Sequence, residues 1–136
     1  MDDAFRKMAD QFGSMIDDML GGKSFRSSAP DSWDPALNVY ELDDRYVVCV
    51  ELAGMDCEKI DVYVEERVLH IRGARAKPAV PDASGPVSVH LMEIDSGRFH
   101  RKVPIASDVR VAGVHAVYRK GYVWIDLPRE PKISAG

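Results

Sequence analysis

The stretch "RYVVCVELAGMDCEKIDVYVEERVLHIRG", residues 45–73, carries three apolar runs, each with a period of two. Tyr46, Val48, Val50 and Leu52 alternate with Val47, Cys49 and Glu51. Ile60, Val62 and Val64 alternate with Asp61, Tyr63 and Glu65, and Leu69 and Ile71 with Val68, His70 and Arg72. Successive side chains of a strand point to opposite faces, so this period predicts short, half-buried strands. It returns at "YVWIDL", where Val123, Ile125 and Leu127 alternate with Tyr122, Trp124 and Asp126. "ELDDR", "LAGMD" and "RKG" supply turn chemistry between the runs. Many short strands with little helical sequence between them predict an all-β sandwich, not a parallel α/β sheet.

Outward from this centre the pattern changes. Upstream, Phe5, Met8, Phe12, Met15 and Met19 recur at steps of three and four, with Ala9 and Ile16 beside them. That is one apolar stripe on a helix, stopped at Gly21-Gly22. It reads two ways: as core docked on the domain, or as an adaptable surface whose flexible thioethers accept varied apolar partners. "GGKSFRSSAPDS" is a linker by composition. Downstream of the third run, "ARAKPAVPDASGPVS" is long for a hairpin loop and holds Pro78, Pro81 and Pro86. The apolar "VHLMEI" that follows it is expected to pair outside its own sheet. The chain thus divides into an N-terminal arm and linker (1–32), a sandwich (33–128) and a C-terminal extension (129–136).

The chain has 136 residues, 46% apolar and 29% charged, the balance of one globular domain. A net charge of −4 gives no sign of general affinity for nucleic acid or anionic membrane. No run approaches a membrane span, and the acidic N-terminus lacks a secretory pattern, so a cytoplasmic location is expected. Cys49 and Cys57 form no C-x-x-C pair and read as reduced thiols. Catalytic motifs are missing: there is no H-E-x-x-H, G-x-S-x-G, Walker loop or G-x-G-x-x-G. His70, His90, His100 and His115 are scattered along strand-like runs. No enzyme activity, cofactor or metal is expected. In "GRFHRKV", Arg98, His100 and Lys102 share one face and read as solvated, while Arg101 lies on the apolar side with Phe99 and Val103. An arginine there calls for a carboxylate partner, such as one across an interface.

Taken in order, these segments resemble the small heat shock proteins of the α-crystallin domain family, bacterial type. "PALNVYELDDRYVVCVELAGMDCEKIDVYVEERVLHIRGAR" is similar to the family's first half, with I-D-V-x-V followed by L-x-I-x-G-x-R. "EIDSGRFHRKVPI" resembles its E-x-x-x-G-x-F-x-R segment, and "AVYRKGYVWIDLP" its A-x-x-x-n-G-x-L-x-[IV] signature. Ala53 stands where proline is common, Lys120 where Asn or Asp precedes Gly121, and Val123 where the signature has leucine. The resemblance implies an immunoglobulin-like antiparallel sandwich. It also implies an ATP-independent holdase of the stress response, binding partly unfolded client proteins through the arm, Phe5, Met8, Phe12, Met15, Ile16 and Met19. A homodimer would form by strand exchange, with Val89, Leu91 and Ile94 on or beside the swapped strand and Arg101 near the interface. The alternative is a β-sandwich adaptor, similar to the CS domains of co-chaperones, that binds one defined folded partner.

The tail "DLPREPKISAG" closes the reading. Relatives often end in I-x-I/V, which lays two apolar side chains into a groove of a neighbouring dimer. Here Ile133 is followed by Ser134 and Ala135, so one strong anchor remains. The expected groove comprises Ile60, Val62 and Val64, with Val111 and Val117 from the strand before "RKG", where alternation leaves the inward face undecided. A robust dimer with labile, concentration-dependent larger oligomers is expected.

Overall fold

The computed structural model describes residues 32–131. It contains β1 (Leu37–Glu41), β2 (Arg45–Glu51), β3 (Ile60–Glu65), β4 (Val68–Arg75), β5 (Gly97–Pro104), β6 (His115–Arg119) and β7 (Tyr122–Pro128). Short 3₁₀ turns at Cys57–Lys59 and Val111–Gly113 lead into β3 and β6. The strands form an antiparallel four-stranded sheet, β1-β2-β7-β6, and an antiparallel three-stranded sheet, β3-β4-β5. The period of two is realised as expected: Tyr46, Val48, Val50, Leu52, Val123, Ile125 and Leu127 of one sheet meet Leu69, Ile71, Phe99 and Val103 of the other in one core. The fold is the expected β-sandwich.

The relative placement of the sheets follows from the segment before β1. Ser32 bridges Arg98, the Trp33 amide donates to the Arg98 carbonyl at 3.0 Å, and the Trp33 indole N–H donates to the Gly97 carbonyl at 3.0 Å. The chain therefore runs along the free edge of β5 and passes directly into β1. The β5 edge lies under β1, which leaves the β3 edge on the side of β6. Arg101, on the inner face in the row Val62–Ile71–Arg101, spans the first of these junctions: its guanidinium donates to the Pro35 carbonyl at 2.7 Å. Burial lowers its pKa, and the nearby Asp34 carboxylate opposes that shift. The chain itself thus supplies, in Asp34, the carboxylate for which the sequence pattern also offered a place across an interface.

Two hairpins use backbone that side chains rarely adopt. Lys120 and Gly121, with φ of 51° and 87°, make the two-residue loop from β6 to β7, and Glu66 and Arg67, with φ of 52° and 62°, make the one from β3 to β4. Lys120 thus takes the left-handed conformation despite lacking the side chain usual there. The glycine of the L-x-I-x-G-x-R run has a different cause. A Cβ on Gly73 would stand 2.6 Å from the Lys59 carbonyl oxygen and 2.9 Å from the Phe99 ring. The row Ile60–Gly73–Phe99 closes only because that side chain is missing. Gly73→Ala is expected to destabilise the domain by about 1–3 kcal/mol, as other overpacked sites do, lowering the midpoint of a urea unfolding curve.

Candidate oligomer and client-binding surfaces

The connection from β4 to β5 forms no strand in this chain. It exposes Val80, Val87, Val89, Leu91, Met92 and Ile94, each more than half accessible and Leu91 at 78%. Val80 and residues 87–94, with Lys77 and Pro78, surround a hollow of about 440 Å³. The root of this arm is closed by one side chain. Arg75 donates to the Asp95 carbonyl through Nε at 3.1 Å and a terminal nitrogen at 2.6 Å, and to the Ala53 carbonyl at 3.2 Å. Its guanidinium also lies 4.1 Å from the centre of the Trp33 ring. Both ends of the arm are therefore held while its apolar middle projects. Period alone marks Arg75 as a surface residue; only the motif pointed to it.

The second surface is the slot between β3 and β6, each hydrogen-bonded to one neighbour among the described residues. Ile60, Val62 and Val64 pack half-buried against the core, as do Val114 and Tyr118. On β6 the structure decides the face. Ala116 and Tyr118 stand opposite the buried Ile125 and Val123, whereas Val117 stands opposite Trp124 and is 55% exposed. Val117 is thus on the outer face and cannot line the slot; Ala116 and Tyr118 take its place. Val111 sits in the 3₁₀ turn before β6, 41% exposed. The Tyr118 hydroxyl donates to the Leu52 carbonyl at 2.8 Å, fixing one end of the slot.

The root of the tail is fastened too. Arg129 pairs with Asp108 at 2.9 Å and Glu41 at 3.2 Å, donates to the Leu42 carbonyl, and lies 4.8 Å from the centre of the Tyr46 ring. The Arg129 amide donates to the Asp44 carbonyl and the Glu130 amide to the Asp108 carbonyl. Burial, helped by its hydrogen bond to Asp108, pushes the Tyr46 phenol up to about 12. Burial works against the charge of Arg129, but Asp108, Tyr46 and Glu41 together hold its pKa above the ordinary value. Ile133 and the arm residues Phe5, Met8, Phe12, Met15, Ile16 and Met19 lie outside the described residues.

The histidines are not all scattered. β4 and β5 bring His70 Nδ1 within 2.8 Å of His100 Nε2 on the outer face of the three-stranded sheet, with the Tyr63 ring stacked on His70 at 4.7 Å. Among the described residues, no three His, Cys, Asp or Glu side chains converge as a metal site would require. Cys49 is buried and Cys57 exposed, both as free thiols, and burial pushes the Cys49 thiol up.

Residues 38–135 match the Hsp20/alpha crystallin family. The chain belongs to it. Small heat shock protein HspA of Bradyrhizobium diazoefficiens is 34% identical over 106 residues, covering 77% of this chain and 64% of that protein. Small heat shock protein C2 of Rickettsia felis is 23% identical over 106 residues, covering 78% of this chain and 67% of that protein. The chain thus spans about two thirds of the length of these relatives. The crystal structure of hspA from Xanthomonas axonopodis superposes with a TM-score of 0.64 at 26% identity, covering 73% of this chain and 96% of that one. A small heat-shock protein from Xylella fastidiosa shares the fold, at a TM-score of 0.64 and 23% identity, over 76% of this chain and 93% of that one. In this Hsp20-family chain the motif residues Gly73, Arg75 and Gly121 hold a close contact, a loop root and a hairpin.

The histidine pair gives a pH dependence. Burial lowers both pKa values from the usual 6.5, and the Lys102 charge lowers them further, as the neighbouring imidazole does for His100. A histidine whose pKa is depressed on folding contributes stability above its ordinary pKa and loses it as the unfolded chain protonates first. The melting temperature should therefore fall between about pH 7.5 and about pH 5.5, and the fall should shrink in His100→Gln. Thermal melts of both proteins at the two pH values check this.

Proposed function

We propose that this chain is an ATP-independent holdase of the stress response, binding partly unfolded proteins and keeping them from aggregating. The match of residues 38–135 to the Hsp20/alpha crystallin family carries the reading, and the β4–β5 arm, rooted at both ends by Arg75, fits a protein that works as an assembly because it offers six large apolar side chains to a second copy. Contiguous exposed apolar surface of this kind marks an interaction site. The mechanism makes and breaks no covalent bond, so it requires neither nucleotide nor metal. The two free thiols fit a reducing compartment, and we place the protein in the cytoplasm.

The division of the chain into arm (1–32), sandwich (33–128) and extension (129–136) then becomes a division of labour. Residues 87–94 swap onto a second copy and pair with its β1, whose outer edge is open among the described residues. The other candidates are worse placed: the β5 edge is taken by Ser32 and Trp33, and the edges of β3 and β6 flank the slot. Arg101 donates to the Pro35 carbonyl just before β1, which supports a position for Arg101 near the proposed interface. The slot receives Ile133 of a neighbouring dimer, one anchor instead of two, so larger oligomers dissociate on dilution. Clients bind the stripe Phe5, Met8, Phe12, Met15, Ile16 and Met19.

Leu91→Asp with Ile94→Asp removes two apolar anchors of roughly 2 kcal/mol each from both exchanged segments, about 8 kcal/mol per dimer, so the dimer constant should weaken by several orders of magnitude, up to roughly a millionfold. Sedimentation across a dilution series should then find monomers at concentrations where the unaltered chain is a dimer. For client binding, Met8→Ser, Phe12→Ser and Met15→Ser together should leave the far-ultraviolet dichroism of the sandwich unchanged. The variant should lose most protection of an aggregating model protein, followed by light scattering without ATP. Full protection by it would remove the stripe from client binding.

A further inference from the structure

The two outer faces of the sandwich differ in a way their strands do not require. An antiparallel sheet with one solvated face carries polar residues there. The three-stranded sheet does so, presenting Asp61, Glu65, His70, Arg72, His100 and Lys102, with Tyr63 stacked on His70 among them. The four-stranded sheet does so only in part: Asn38, Arg45, Glu51, Asp126, His115 and Arg119 are polar, but apolar and aromatic side chains adjoin among them. Its outer rows run Tyr40–Val47–Asp126–His115 and Asn38–Cys49–Trp124–Val117, with Tyr122 beside Trp124. Val47 and Cys49 are already covered by their neighbours, but Tyr40, Tyr122 and Val117 remain 38%, 44% and 55% exposed. Val117, Trp124 and Tyr122 therefore form an aromatic and aliphatic strip on this face, beside the Asp126 carboxylate, which lies in the next row and pairs with Arg45 and His115.

We propose that this face is the resting site of the chain's own N-terminal stripe, Phe5 to Met19. Three observations select that occupant. The first is chemical fit: Met8, Met15 and Met19 are thioethers, which pack favourably against aromatic rings such as Tyr122 and Trp124. The second is size: residues 5–19, helical as their period predicts, are about 21 Å long, and a seven-residue strand such as β2 or β7 is about 23 Å. The third is reach. The described chain begins at Ser32 on the β5 edge, directly under β1. Residues 20–31 can extend to about 40 Å, enough to cross one sheet layer of about 10 Å and pass around β1. The occupant is thus tethered beside the face, which gives it a high effective concentration there. The consequence rests on the proposed role of the stripe: a seated stripe is unavailable to clients, and leaving the face exposes both surfaces together.

The test uses the full chain with Trp33→Phe, so that Trp124 is the remaining tryptophan. Acrylamide quenching of Trp124 is compared with and without Met8→Ser, Met15→Ser and Met19→Ser. The proposal expects the quenching constant to double or more in the triple variant, at all protein concentrations. It also expects an intrachain disulfide between Met15→Cys and Val117→Cys in a Cys49→Ser, Cys57→Ser background, seen as a fast-migrating monomer on a non-reducing gel. Unchanged quenching with no intrachain disulfide overturns it. Protection of Trp124 that disappears on dilution, with only interchain disulfides, overturns it in favour of a second copy as the cover. Light scattering on the same variants separates this idea from the holdase reading. Loss of client protection with unchanged quenching sinks the resting site alone, whereas raised quenching with full client protection sinks the client role alone.

Discussion

The contact of Leu69 and Ile71 on β4 with Val48, Val50 and Ile125 on β2 and β7 is the interaction on which the remaining architecture depends. These five side chains are fully buried. They sit on strands paired on both sides, where backbone hydrogen bonds and side-chain burial are satisfied together. Moving away from this centre, burial falls: Ile60, Val62 and Val64 on β3, and Leu37 and Val39 on β1, are only half covered. A sandwich of seven short strands closes its middle and leaves its edges incomplete. Edge strands with unpaired backbone groups are a liability in an isolated domain and a means of assembly in a protein that associates.

Arginines then fix where the incomplete parts leave the sandwich. Arg75 closes the root of the β4–β5 arm through backbone carbonyls on either side of it, and Arg129 ties the start of the tail to Asp108, Glu41 and the face of Tyr46. Planar guanidinium groups suit this task because one side chain can donate in several directions and stack at the same time. The same reasoning accounts for Arg101, which faces inward at the end of a core row and reaches the Pro35 carbonyl. In each case a charged group sits at the margin of the core and fastens a segment, so the segments leave the sandwich from defined points.

The departures from the family pattern carry physical meaning of different weight. Lys120 adopts a positive φ that Asn or Asp would adopt with less strain, and the hairpin forms around it because Gly121 supplies the second such position. The replacement of leucine by Val123 leaves a buried core residue in the same row as Val50. In the proposed assembly the degenerate tail has the larger consequence, because a lost anchor would affect every repeat of a contact between dimers.

The sequence by itself determined the sandwich and the inward faces of β2, β3, β4, β5 and β7, because a period of two writes the buried face directly into the order of residues. It also marked the long proline-bearing arm and the glycine at position 73. Only the tertiary structure decided which sheet edge lies over which, since that depends on Ser32 and Trp33 meeting Arg98 from far along the chain. It decided that Val117 faces outward while Ala116 and Tyr118 line the slot, because in a short strand of mixed polarity the register with β7, not the residue type, sets the face. It decided that His70 meets His100, and that Val117, Trp124 and Tyr122 adjoin on the outer face of the four-stranded sheet. Each strand, read alone, shows a few apolar residues on its outward side. Pairing places them in adjoining rows, and a patch exists only where neighbours meet.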